Sequence, residues 1–176
     1  MSVDWRRWVF WTLLAGVSAA LVACNSAPVR IVTDSYQSLV YKTRSKGESE
    51  STKPEPVKRE LACSDKKPFE LKLEQSELVP NRFKSGREIN HRFIYAACTP
   101  RDAVQSYALV RRVSRGGKTL FEDRDTAFAV KPGRWVVDSF IGIPPSAPAG
   151  PYTLELVFEL RGGAKRSLRT EFEVTN

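Results

Sequence analysis

The side chains of this chain that could do chemistry are few, and their spacing limits what they could do. His91 is the only histidine among 176 residues, and an activated nucleophile needs a partnered base. It falls in the alternating stretch INHRFIYAAC beside Phe93, where a core or edge histidine satisfied by hydrogen bonds is the expected role. No Gly-x-Ser-x-Gly elbow and no His-Glu-x-x-His pair occurs. Glu122, Asp123 and Asp125 cluster in EDRD, which raises calcium binding or acid–base work. Arg124 interrupts that run and the turn glycine of a calcium loop is missing. A solvated turn is the expectation, and with one histidine no zinc site, other metal or cofactor is expected.

Two groups of cations are more informative. Arg111, Arg112, Arg115 and Lys118 surround the turn RGGK, and Arg161, Lys165, Arg166 and Arg169 surround the turn RGGAK. Gathered at one end of a fold, they would attract an anion. The competing reading is edge protection, because Lys and Arg on hairpins discourage strand-to-strand aggregation. Successive strand residues point to opposite faces, so Arg111 and Arg112 cannot both face a core. Trp135, after KPGR, is expected in the core; the alternative is an exposed anchor for a partner or a sugar.

The elements that must position these groups begin after an unusual start. Arg6 and Arg7 precede an uncharged run over residues 9–23, whose last three residues with Cys24 read LVAC. A bilayer-spanning helix takes about 20 apolar residues; a basic start, a shorter apolar run and small residues describe an export signal. Leu21, Val22, Ala23 and Cys24 resemble the lipobox of bacterial lipoproteins. The resemblance implies that the Cys24 thiol receives a diacylglyceryl group and that residues 1–23 are removed. Asn25 follows, and in that family an Asp there commonly retains the protein in the inner membrane. In a host with two membranes the resemblance therefore implies an outer-membrane lipoprotein facing the periplasm, anchored to the membrane rather than spanning it.

Net charge is +8, or about +7 without residues 1–23. A basic surface attracts anions in general, and no phosphate loop, aromatic RNA-binding strand or recognition helix favours nucleic acid. Of three cysteines the lipobox takes one. Cys63 and Cys98 are left in an oxidising compartment and are expected to form a disulfide; the alternatives are two buried thiols or a redox pair, against which stands the lack of Cys-x-x-Cys.

Residues 42–60, KTRSKGESESTKPEPVKRE, are nearly empty of apolar side chains, too few to offset the entropy of ordering. Residues 24–60 are therefore expected to be a lipidated, flexible tether. Val29 to Tyr41 is an apolar exception, expected either to pack on the domain or to dock on a partner by strand addition.

From residue 61 the period is two. Phe69, Leu71 and Leu73 share a face, as do Ile89, His91, Phe93 and Tyr95, then Tyr107, Leu109 and Val113, and then Tyr152, Leu154, Leu156, Phe158 and Leu160. Eight strand candidates with turns between them predict a single all-β sandwich over residues 61–176. Its last hairpin, with Pro148, Gly150 and Tyr152 opening a strand, a turn at Gly162 and Gly163, and a closing strand through Phe172 and Val174, resembles that of bacterial immunoglobulin-like domains. The resemblance implies that Tyr152 packs with its hydroxyl on backbone. Cys63 and Cys98, placed in the first strands, depart from the antibody pattern. Fold does not carry function, and the expected role is a non-catalytic protein-binding or envelope-assembly module. The alternative ligand is an anionic envelope polymer, peptidoglycan or lipopolysaccharide, held by the basic hairpins.

Overall fold

A computed structural model describes residues 44–176. The expected export signal, Cys24 and the segment Val29 to Tyr41 lie outside the described residues. Nine strands, β1 (Arg44–Thr52), β2 (Glu70–Val79), β3 (Arg82–Lys84), β4 (Glu88–Cys98), β5 (Gln105–Arg115), β6 (Lys118–Val130), β7 (Gly133–Gly142), β8 (Gly150–Glu159) and β9 (Lys165–Thr175), and one short helix, α1 (Pro54–Glu60), build the described part.

The strands form two sheets, ordered β1-β7-β4-β2 and β3-β9-β8-β5-β6, an all-β sandwich. Every pairing is antiparallel except that of β3 with β9. Alternation sends one side chain in two to the space between the sheets. There the apolar residues make two clusters. One holds Leu71, Phe93, Tyr95, Leu109, Val137, Leu156 and Phe158; the other holds Leu78, Ile89, Val113, Ile141, Tyr152, Leu154 and Phe172. Most faces match the alternation read from sequence. The candidates TLFED and TAFAV are one strand, β6, kinked where the pairing slips between Tyr107 and Leu109. The three-residue β3 is too short to show a period.

The expectation of a flexible tether through residue 60 is corrected for residues 44–60. β1 pairs with β7 from Arg44 opposite Phe140 to Thr52 opposite Arg134, and main-chain hydrogen bonds need no apolar composition. α1 then lies on the outer face of the same sheet, against β4 and β7, and buries Val57 completely. Arg134 fastens it: its guanidinium donates to Glu60 at 2.7 Å and to Glu74 of β2 at 2.7 Å. Gly133, at φ +103°, lets the chain pass here; a Cβ at this position would sit 2.7 Å from the Thr52 carbonyl oxygen.

Cys63 and Cys98 are joined by a disulfide with Cα atoms 6.6 Å apart. Cys98 ends β4, as expected of a strand residue, whereas Cys63 sits in the turn after α1. The bond thus ties the N-terminal arm, β1 and α1, to the sandwich.

Candidate interaction surfaces

The two basic groups are not brought to one end. β5 runs to the turn at Gly116 and Gly117, where Arg115 faces Lys118 across the hairpin. β8 starts beside that turn, since Arg115 donates to the Ala149 carbonyl at 2.8 Å, and runs to the opposite end of the sandwich before the turn at Arg161–Gly163. Arg111, Arg112, Arg115 and Lys118 therefore lead to one end, and Arg161, Lys165 and Arg166 mark the other.

Most of these cations already meet carboxylates. Arg112 donates to Glu122 at 2.6 Å and to Glu155 at 3.3 Å. Arg169 reaches the same Glu155 at 3.0 Å, so one carboxylate bridges two cations from β5 and β9. Arg124 and Lys165 converge on Glu159, at 2.5 and 3.2 Å, and hold its carboxyl down at about 2. Arg166 reaches Glu70 at 3.3 Å. That last pair joins the two sheets, whereas Arg112, Glu122, Arg124, Glu155, Glu159 and Arg169 make the outer face of the five-stranded sheet a lattice of alternating charge, with opposite signs paired across strands. A groove of about 550 Å³ crosses it, lined by Arg112, Ser114, Thr119, Thr153, Glu155 and Arg169.

Arg111 turns inward, only 5% exposed. Its guanidinium donates to Asp123 at 3.0 Å and lies 6.0 Å from the centre of the Phe93 ring. It belongs to a buried polar layer that separates the two apolar clusters. In β4 His91 stands between Ile89 and Phe93, in β5 Arg111 between Leu109 and Val113, and in β7 Ser139 between Val137 and Ile141. His91 Nε2 lies 3.0 Å from Ser76 Oγ, and Thr170 Oγ1 lies 2.9 Å from the same oxygen. Burial, with the Arg111 charge second, lowers the His91 pKa to about 3. His91 is therefore a core histidine, out of reach of a bulky substrate.

The acidic run EDRD is divided among partners: Glu122 pairs with Arg112, Asp123 with Arg111, and Asp125 accepts from the Ala127 N–H at 2.9 Å. Among the described residues no group of three or more His, Cys, Asp or Glu side chains is placed to hold a metal ion. Trp135 packs against the first apolar cluster, donates to the Pro132 carbonyl at 2.9 Å, and carries the Lys131 ammonium 4.6 Å from its ring centre.

One feature had no sequence signal. A cavity of about 310 Å³ opens beside the disulfide, lined in part by Lys58, Cys63, Cys98, Thr99 and Arg101. Arg101, which lines it, and the next residue, Asp102, have φ of 55° and 53°, and Lys58 holds Asp102 at 2.6 Å.

No family model and no curated protein matches the chain. Solved structures resemble it in part. An alkylpurine DNA glycosylase of Pseudomonas fluorescens bound to DNA containing an abasic site analog is 16% identical over 61% of this chain and 31% of its own, with a TM-score of 0.45. The sporulation control protein of Bacillus subtilis is 16% identical over 61% of this chain and 49% of its own, at 0.39. A conjugative transposon lipoprotein from Bacteroides eggerthii is 13% identical over 60% of this chain and 96% of its own, at 0.36. The chain thus spans less than half of the first two.

Proposed function

We propose that the chain is a lipoprotein of the bacterial cell envelope, held by lipid on Cys24 at the periplasmic side of the outer membrane. Its immunoglobulin-like sandwich acts there as a non-catalytic module that binds or assembles proteins. The observation that carries this reading is the built-in arm: the first described residues after the lipobox are an edge strand and a helix cross-linked to the sandwich by Cys63 and Cys98. Such an arm joins the anchored side of the chain to one end of the sandwich, and tethering there raises the effective concentration of partners held near the same membrane.

The immunoglobulin-like assignment is supported by the sheet order and by Tyr152. A sandwich with four strands in one sheet, the remainder in the other, and connections crossing between them is the arrangement of that fold. The Tyr152 hydroxyl donates to the Pro148 carbonyl at 2.7 Å, the tyrosine-to-backbone contact that the resemblance implies.

The charge lattice supports a protein partner over an anionic polymer. A polyanion would have to displace Glu155 and Glu159 from Arg112, Arg169, Arg124 and Lys165, whereas a protein surface of mixed charge can pair with both signs. A photo-crosslinking residue at Thr153, in the groove, tests this against one at exposed Ser49 on the other sheet. The expected result is a discrete protein adduct from Thr153 in intact cells, with the Ser49 control empty. Adducts only with glycan, or substrate turnover by the purified protein that a single side-chain replacement abolishes, would overturn the reading.

A further inference from the structure

We infer that the end of the sandwich at which the chain enters is a docking surface for the anionic phospholipid headgroups of the anchoring membrane. The inference rests on the proposed lipid anchor at Cys24. β1 starts at Arg44 opposite Phe140, beside the end of β7. Contacts tie the neighbouring loops into one surface. Ser85 N–H donates to the Thr175 carbonyl at 3.2 Å and Ile143 N–H to the Arg87 carbonyl at 2.9 Å, Gly86 lies against Pro145, and Arg115 bonds Ala149 at 2.8 Å.

This end carries Lys84, Arg87 and Lys118, all exposed and none with an ion-pair partner among the described residues. Arg115 stands behind them, and Arg82 is neutralised by Glu173 at 3.3 Å. Opposing them is the Glu88 carboxylate. Arg44 and Lys46 lie in the first residues of β1, and Val79, 48% exposed, supplies an apolar tip close by at the end of β2.

Charge alone does not select this end, because Lys66, Arg101 and Arg161 are exposed at the other. The path of the chain does. Only residues 25–43 separate the lipobox cysteine from β1, and a coil of that length has an r.m.s. reach of about 25 Å. The entry end is thus held at high effective concentration above the headgroups, while the far end is turned away by the length of the strands. Each Lys or Arg near an anionic bilayer then raises the docked population about fivefold, and the effect fades within a Debye length.

The test uses the full lipidated chain reconstituted in vesicles of phosphatidylcholine, with or without phosphatidylglycerol, and read by amide hydrogen exchange. Mass spectrometry of the peptide holding Cys24 reports the anchor separately. The expected result is slower exchange at residues 84–88 and 115–118 in phosphatidylglycerol vesicles. High salt and the triple reversal Lys84→Glu, Arg87→Glu, Lys118→Glu should remove this protection, and the control Lys66→Glu, Arg161→Glu should retain it. Acylated Cys24 with the same exchange in both vesicles overturns the docking and leaves the lipoprotein standing. Protection at the far end, or protection reproduced by inorganic phosphate over phosphatidylcholine, also overturns it. An unmodified Cys24 overturns both readings.

Discussion

His91 Nε2 faces Ser76 Oγ at 3.0 Å in the middle of the sandwich, within the same buried layer as Arg111. An imidazole so placed stays neutral in the folded chain until about pH 3, whereas in the unfolded chain it takes up a proton near pH 6.5. Between those values the unfolded state binds the additional proton, so stability falls as pH falls. Wild type should lose about 2 kcal/mol from this group between pH 6.5 and 5. Urea midpoints at the two pH values, compared with His91→Gln, check this; an equal acid loss in the variant would refute it.

The Tyr152 hydroxyl donates to the Pro148 carbonyl. Tyr152→Phe keeps the ring, its stacking on Phe172 at 5.4 Å and its neighbour Arg115. It should cost about 1 kcal/mol in denaturant unfolding. A neutral result would mean that the hydroxyl does not help hold the turn before β8.

Gly133 should tolerate no side chain. Alanine there combines a left-handed backbone at φ +103° with a Cβ 2.7 Å from the Thr52 carbonyl. Gly133→Ala is expected to destabilise by about 1 to 3 kcal/mol, with exchange rising first in β1. Uniform loosening of both sheets would contradict the local account.

Removing the disulfide with Cys63→Ser and Cys98→Ser opens a loop of sequence separation 35. The expected loss is about 3 to 4 kcal/mol by chemical denaturation. Limited proteolysis should cut first at Lys58 or Arg59 as the arm loosens. Cleavage first in β8 or β9 would place the weak point elsewhere.

Glu155 bridges Arg112 and Arg169, and its neutralisation separates the protein-partner reading from the polymer reading. Glu155→Gln removes the carboxylate from Arg169 and leaves Arg112 with Glu122 alone, so affinity for an acidic glycan should rise in the variant from a weak wild-type value. Strong, salt-sensitive wild-type binding that Glu155→Gln leaves unchanged would restore the polymer as the ligand.

Legibility varied with what each residue's role depends on. In β8 alternate apolar residues are buried at Tyr152, Leu154, Leu156 and Phe158, because strand period is written locally. β1 carried no such mark: RSKGESEST is held by main-chain pairing to β7, and α1 buries a single residue, Val57. Alternation put Arg111 on the face of Tyr107, Leu109 and Val113 and so marked it as the inward member of its pair with Arg112, but its partner Asp123 depended on register with β6. The separation of the basic hairpins was partly readable. In an antiparallel chain successive turns alternate between ends, and an odd number of reversals divides the RGGK turn from the RGGAK turn once β6 is taken as one strand.

The cross-link has a mechanical consequence. Tension drawn through the N-terminus would load the main-chain pairing of β1 with β7 first. Peeling could release residues 44–63 as up to about 65 Å of slack, and would then stop at Cys63, whose covalent bond passes the load to the end of β4. The arm is in this sense a shock absorber of fixed length, able to extend while the sandwich behind it stays folded.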